Sequence, residues 1–459
     1  PMITSHFRVA LRRLVRADVP APDTTDGEFN AEVERNYRWN FTFNLLDVAS
    51  FWIGMSFMSS ATIVPLYVSK LTPSALAIGL VAVIANAGWF LPQLFTANSV
   101  QGLARKKPVV VNLGFFTERL PLWLLPISAL LAVQSPTLAL ILFFIGYAGH
   151  GIGAGVIATA WQDMIARCFP VDRRGRFFGI SSFVGSSVGI AAATLSAWLL
   201  AMLVFPTNFA VSFALAALFV TMSWAFLSFT REPVQPGSQQ RQSNRQFWSN
   251  LPQILRNDGN FRNFLAARLL IMAGGIGTGF VTVAAVQKWG IGDGVVGLYT
   301  TAMLIGQTIG TLGFGFLADR RGHKIGVELG ALASLLAFLI AWLAVQPVWY
   351  YVVFLLLGIV TGAMMVSGLM IVFEFSPPKL RPTYTGLTNT SLGVLGIITP
   401  LIGAWLASMN YDWLFAVGAA CSLAGLVMIR WFVREPRWEQ PTAGTVESAL
   451  LSPPNEFGV

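Results

Sequence analysis

Ten residues, Gly315 to Lys324, read GFLADRRGHK and set Asp319, Arg320, Arg321 and Lys324 between two long apolar runs, with Gly322 at the turn. An acid beside several bases at such a point can form ion pairs and cap helix ends in one conformation and release them in another. That is the chemistry of a two-state latch. Further ionisable residues lie inside apolar runs, where their cost marks them as functional candidates: Asp47, Glu118, Arg119, His150 and Arg268. Asp47 stands about eight residues, roughly 12 Å, into the first run. It fits either a protonation site or a structural ion pair, for which Arg268 is the expected partner. Glu118 and Arg119 are adjacent, and so point about 100° apart on an α-helix. They are expected to join a wider network rather than pair only with each other. His150 is either a packed, hydrogen-bonded residue or a proton carrier suited by its ordinary pKa. The chain has no glycine-lysine phosphate loop and no histidine and cysteine cluster, so neither cofactor nor metal is expected and the reading is not that of an enzyme.

The elements that must position these residues are membrane helices. The 459 residues are 55% hydrophobic and only 11% charged, with a mean hydropathy of +0.64, and apolar runs of 20 or more residues recur along the chain, as hydrocarbon-spanning helices require. Twelve spans are expected: about 39–71, 74–100, 108–133, 136–169, a fifth to 205, 207–230, 263–288, 293–318, 324–345, 348–375, 382–409 and 411–433. Residues 1–38 read as a cytoplasmic N-terminal segment, with a basic amphipathic helix or a basic tail at 5–16 and a polar, acidic linker at 21–36. Residues 39–230 and 263–434 read as two six-helix bundles. Between them, 231–262 reads as a cytoplasmic connector, and 435–459 as a cytoplasmic, disordered tail.

The net charge of +9 is spread over short loops, which disfavours nucleic acid. Twelve Lys and Arg lie in the short loops of one side and two, Lys70 and Lys288, on the other, which places both termini in the cytoplasm by the positive-inside rule. The mix of Arg8, Arg12, Arg13 and Arg16 with acids such as Asp18, Asp23, Asp26, Glu28 and Glu32 is unlike a cleavable signal peptide. The expected location is the plasma (inner) membrane.

The two halves repeat. Pro170, Arg174 and Gly179 recur at the same spacing as Pro377, Arg381 and Gly386. Arg231-Glu232-Pro233 after the sixth span matches Arg434-Glu435-Pro436 after the twelfth, and Ile78-Gly79-Leu80 in the second matches Val296-Gly297-Leu298 in the eighth. With the Gly315–Lys324 hairpin, this layout resembles the major facilitator superfamily from about Trp39 to Pro436. The resemblance implies an all-α membrane protein of twelve transmembrane helices in two pseudo-symmetric six-helix bundles, opening alternately to each side around a central cavity.

Glu374 and Arg381 at the tenth span's end are similar to the acid and arginine pair of sugar-type members, so Glu374 is expected to approach Arg320 or Arg321. Asp319 is expected near Gly175 to Phe178. Asp163 and Arg174 read as gate residues of the N-terminal half. There the hairpin departs from the pattern, with Gln101 in place of the acid and Arg167 in place of Glu374, and its latch reads as degraded. Trp52, Asn86, Trp89, Gln307 and Asn389, with Ser56, Gln93 and Ser367, are candidates to face a small amphiphilic organic solute. The expected function is secondary active transport of that solute, coupled to protons through Asp47, Glu118 or His150, by a monomer in the lipid bilayer. The alternative is a non-transporting sensor or scaffold of the same fold.

Overall fold

The first helix starts earlier than its apolar run. In the computed structural model, which describes residues 12–16, 25–101, 103–234, 254–376 and 380–438, it runs Asp26–Phe57. The cause is a capping box: Glu28 N–H donates to the Thr25 hydroxyl, while Thr25 N–H donates to the Glu28 carboxylate at 2.9 Å. Asp26 and Glu28 also suit the positive end of the helix dipole. The acidic stretch expected as a linker is therefore two to three turns of helix from Asp26 on. After a break at Met58–Thr62 the first span resumes as Ile63–Leu71.

The remaining spans follow in order. The second is Ala75–Gln101, the fourth Pro136–Cys168, the fifth Arg174–Met202 and the sixth Thr207–Ser228. The seventh is Gly259–Gly274 continued by Thr278–Trp289, the eighth Asp293–Arg321, the ninth Lys324–Leu343, the tenth Trp349–Phe375, the eleventh Arg381–Met409 and the twelfth Tyr411–Phe432. The third is irregular: π-helical turns at Val109–Leu113 and Phe115–Arg119 precede short α pieces ending at Leu131. Among the described residues ten helices are long and apolar enough to cross a membrane unaided. The other two of the expected twelve are the first span, polar in its long helix and then broken, and the third, divided by its π turns. The architecture is all-α and integral to the membrane.

The chain forms two compact units. One takes the residues up to Arg241 together with Gly279–Thr301, and the other takes Gln242–Thr278 with Ala302–Val459. This division differs from a simple cut at the connector, because the end of the seventh span and the start of the eighth pack with the first unit. Thr282 donates to the Ala61 carbonyl at 3.0 Å, and the Thr62 and Thr300 hydroxyls are 2.5 Å apart.

Lipid offers no hydrophobic drive between spans, so close contact depends on small residues. A Cβ on Gly155 of the fourth span would run into the Gly88 carbonyl of the second, and one on Gly306 of the eighth into the Leu355 carbonyl of the tenth. The same type of crossing thus occurs once in each unit. Larger side chains fill the rest. Phe169 stacks on Phe177 at 4.2 Å in the first unit, and Phe261 packs on Tyr384 at 4.5 Å in the second.

Two terminal segments make defined contacts. Leu14 accepts a hydrogen bond from the Asn112 amide at 2.8 Å, which ties the described part of 5–16 to the third span. Beyond the twelfth span, Pro436–Trp438 form a 3-10 turn in the segment expected as a disordered tail.

Candidate functional site

The Gly315–Lys324 hairpin closes through Gly322, whose φ of +85° only glycine adopts freely. Glu435 Oε2 accepts the Lys324 main-chain N–H at 2.9 Å, capping the ninth span, and a Cβ on Gly322 would strike the same carboxylate. Lys324 Nζ reaches Glu328 at 3.2 Å, and Arg430 lies 3.7 Å from the other Glu328 oxygen. Glu374 does not pair with Arg320 or Arg321 as expected; its partner is Arg437, at 2.6 Å. The 3-10 turn after Pro436 carries that guanidinium back to the hairpin. There it also donates to the carbonyls of Ala318 (2.9 Å) and Asp319 (3.2 Å). Asp319 therefore joins through its main chain, while its side chain and those of Arg320 and Arg321 are exposed. Arg381 opens the eleventh span, and its side chain, like that of Gln101, lies outside the described residues.

The first unit has its own ionic cluster at the matching place, built from other partners than those of the hairpin. Glu232 accepts the main-chain N–H of Lys106 at 2.8 and 2.9 Å and that of Lys107 at 2.8 Å, as Glu435 does for Lys324. Both acids come from the repeated Arg-Glu-Pro, so a feature that reads as punctuation in the sequence is a duplicated helix cap. Arg167 pairs with Asp163 at 2.8 Å and donates to the Ala104 carbonyl at 3.1 Å. An arginine thus grips the end of the second span as Arg437 grips the end of the eighth, but it comes from the fourth span. Lys106 is fully buried, its ammonium bonded to the Val100 and Leu103 carbonyls at 2.5 and 2.8 Å. Burial pushes its pKa down, and burial pushes the Glu232 carboxyl up against the pull of its main-chain donors. Arg174 donates to the Phe169 carbonyl at 3.2 Å.

Inside the first unit, Asn36, Asn40, Asn44, Asp47, Ser50 and Gly54 form a buried stripe at three- and four-residue spacing on the first helix. It faces the end of the sixth span. Asn40 exchanges two hydrogen bonds with the Arg231 main chain, at 2.8 and 2.9 Å, and the Ser223 hydroxyl donates to Asp47 at 2.6 Å. Asp47 is thus held by Ser223 within the first unit, with Arg119 and Glu118 near enough to act on its charge. Those two, on a π-helical turn, pair with each other as well as meeting the groups around them. His150 Nδ1 lies 3.3 Å from the Glu118 carbonyl. Asp47, Glu118, Arg119 and His150 therefore belong to one neighbourhood.

Arg268 is in the second unit. Its guanidinium contacts Met364 Sδ and the face of Gly368, and its Nε is buried without an acceptor. Among the described residues no carboxylate forms an ion pair with it. Of the remaining candidates, Trp52 packs on Gly185 and accepts from Ser56 through its carbonyl at 2.8 Å. Asn86 and Gln93 donate to carbonyls one turn back, at 2.9 and 2.7 Å. Gln307 reaches Met365 Sδ at 3.3 Å, Ser367 lies 3.4 Å from His323, Trp89 is exposed and Asn389 half-buried.

One cluster is absent from the sequence reading. At the end opposite the basic loops, Lys70 pairs with Asp293 at 2.8 Å, and Asn208 donates to the other Asp293 oxygen at 3.1 Å. The scarcity of charge on that side was the available signal.

Duplicated caps, ionic clusters at helix ends and isolated charges inside spans define a polytopic helical membrane protein. The sequence profile of the Major Facilitator Superfamily matches residues 46–288 and 264–455, and the chain belongs to that family of transporters. The chain is 31% identical over 189 residues to the 4-hydroxybenzoate transporter PcaK of Pseudomonas putida, which covers 39% of this chain and 41% of that one. It is 27% identical over 159 residues to a gallate transporter of the same organism, covering 34% and 35%. The chain thus matches about two-fifths or less of the length of these relatives. Among solved structures, the D-xylose-proton symporter aligns with 87% of this chain and 99% of its own, with a TM-score of 0.65 at 12% identity, a likeness of fold. The protein is a multi-pass integral membrane protein of this family.

Proposed function

We propose that this protein carries a small aromatic carboxylate across the membrane by alternating access, together with protons. The observation that carries the reading is Arg268. A guanidinium within a span is costly, and such charges normally pair with an acid or face a polar path. Arg268 has no acid partner among the described residues and keeps an unused buried Nε, so an incoming carboxylate completes its coordination. The two Pseudomonas putida relatives are named for aromatic acids, which supports that class. Asp47 is the proton site in this proposal, linked to Glu118 and Arg119 by charge. The excess of Lys and Arg at one end supports cytoplasmic termini, with the Glu374–Arg437 and Asp163–Arg167 clusters as the inner gate.

The test is uptake of 4-hydroxybenzoate into proteoliposomes under an imposed pH gradient. Protonophore-sensitive accumulation is expected, abolished in Arg268→Gln and partly retained in Arg268→Lys. Absence of flux across a panel of aromatic acids would overturn the substrate class, and absence of flux for any solute would favour a sensor or scaffold.

A further inference from the structure

At the basic end of the first unit a cavity of about 640 Å³ opens between the first helix, the turn before the third span and the end of the sixth. Its wall is positive. Arg35, Arg105, Lys107 and Arg231 face Glu32 and Glu232 there. Glu232 is already engaged, since its oxygens accept the Lys106 and Lys107 main-chain N–H groups. Arg35 and Arg105 are exposed, and among the described residues neither forms an ion pair. Arg231 is held in place: its guanidinium lies 4.1 Å over the Trp39 ring and donates to Asn36 at 3.4 Å. An arginine fixed on one face, with its outer edge toward a cavity, is pre-organised for a tetrahedral oxyanion.

The aromatic residues beside the cavity indicate what else the ligand carries. Trp39 packs on Phe43 at 4.5 Å and Phe43 on Phe229 at 5.0 Å, with Trp39 and Phe229 both exposed. This wall leads from the cavity along the first helix toward its apolar part. Aromatic rings at that level mark the boundary between headgroups and hydrocarbon, and a basic pocket above such a boundary suits an anionic lipid. A free anion would need the charges but not the aromatic path.

We propose that this cavity binds the phosphate of an anionic phospholipid, with the acyl chains against Trp39, Phe43 and Phe229. The site does not include Arg268, and it borders the Asp163–Arg167 cluster through Glu232, 3.9 Å from Arg167. The test is lipid retention by the full chain, measured by native mass spectrometry after exchange into phosphatidylglycerol or phosphatidylcholine. Phosphatidylglycerol is expected to be retained preferentially. The Arg35→Gln, Arg105→Gln double variant should weaken its binding roughly 30-fold, at the worth of two basic residues near an anionic surface. Arg176→Gln, which removes an exposed charge at the same end, should leave binding unchanged. Equal retention of the two lipids, or equal loss in Arg176→Gln, overturns the proposal. Inorganic phosphate occupying the cavity without lipid and displacing phosphatidylglycerol would assign the site to a free anion instead.

Discussion

Replacing Glu232 by alanine should destabilise the protein more than the same change at Glu435, although the two residues repeat each other in sequence. Glu232 caps two main-chain donors, Lys106 N–H and Lys107 N–H, next to a fully buried side chain. Glu435 is only half-buried, and of its two main-chain donors, Lys324 N–H and Arg437 N–H, the second belongs to an exposed residue that water can reach. An orphaned buried donor costs about 1–3 kcal/mol, so the loss should be about 2–6 kcal/mol for Glu232→Ala and about half that for Glu435→Ala. Glu232→Gln keeps one good acceptor and should fall between wild type and Glu232→Ala. The assay is thermal unfolding of the purified full chain in detergent, followed by tryptophan fluorescence. A Glu232→Ala midpoint equal to wild type, or one above that of Glu435→Ala, would refute the capping argument. A pH series adds a second arm. Burial raises the folded Glu232 carboxyl above its ordinary 4.5, so the folded protein holds more protons than the unfolded one just above that pH. Stability from this group therefore falls as pH rises from about 4.5, and Glu232→Gln should flatten that slope.

The remaining expectations concern transport and the hairpin. Asp47→Asn should abolish proton-driven accumulation while leaving counterflow, and accumulation unchanged from wild type would remove Asp47 from coupling. Gly322→Ala forces a side chain into a positive-φ backbone at about 1–2 kcal/mol and drives its Cβ into the Glu435 carboxylate. Its effect should be strongly non-additive with Glu435→Ala in a double-mutant cycle of melting midpoints. Additive losses would mean that the two residues do not share one turn. Glu374→Gln should loosen the hairpin more than Arg320→Gln, read as faster alkylation of a cysteine placed at Ala318, because Arg437 and not Arg320 holds Glu374.

Much of the fold was legible because hydropathy and repeated punctuation are local signals. The spans, the Arg-Glu-Pro repeat and the turn at Gly322 all lie within a few residues of chain. The partners were less legible because they depend on distant segments returning. Nothing near Glu374 points to Arg437, which reaches it only through the turn after Pro436. Asp47 meets Ser223 from a helix far along the chain, and its expected pairing with Arg268 rested on matching positions alone. Two features were present in the sequence but outweighed. Thr25 and Glu28 form a capping box inside a stretch whose acidity suggested a linker. Asn36, Asn40, Asn44, Asp47 and Ser50 have helical spacing, yet a search for apolar periodicity passes over a polar stripe. The π turns of the third span, on which Glu118 and Arg119 sit, have no simple sequence signal.

Glu232 and Arg437 also differ in when they become available. During synthesis the cap on the third span can close once Glu232 has emerged, before the seventh span has been made. The ninth span waits for Glu435 and the tenth for Arg437, so two helix ends of the second unit stay unsealed until the last turn of the described chain has left the ribosome. The cap on the third span can thus close while the first unit still lacks Gly279–Thr301, whereas the corresponding helix ends of the second unit stay open until Glu435 and Arg437 have been made.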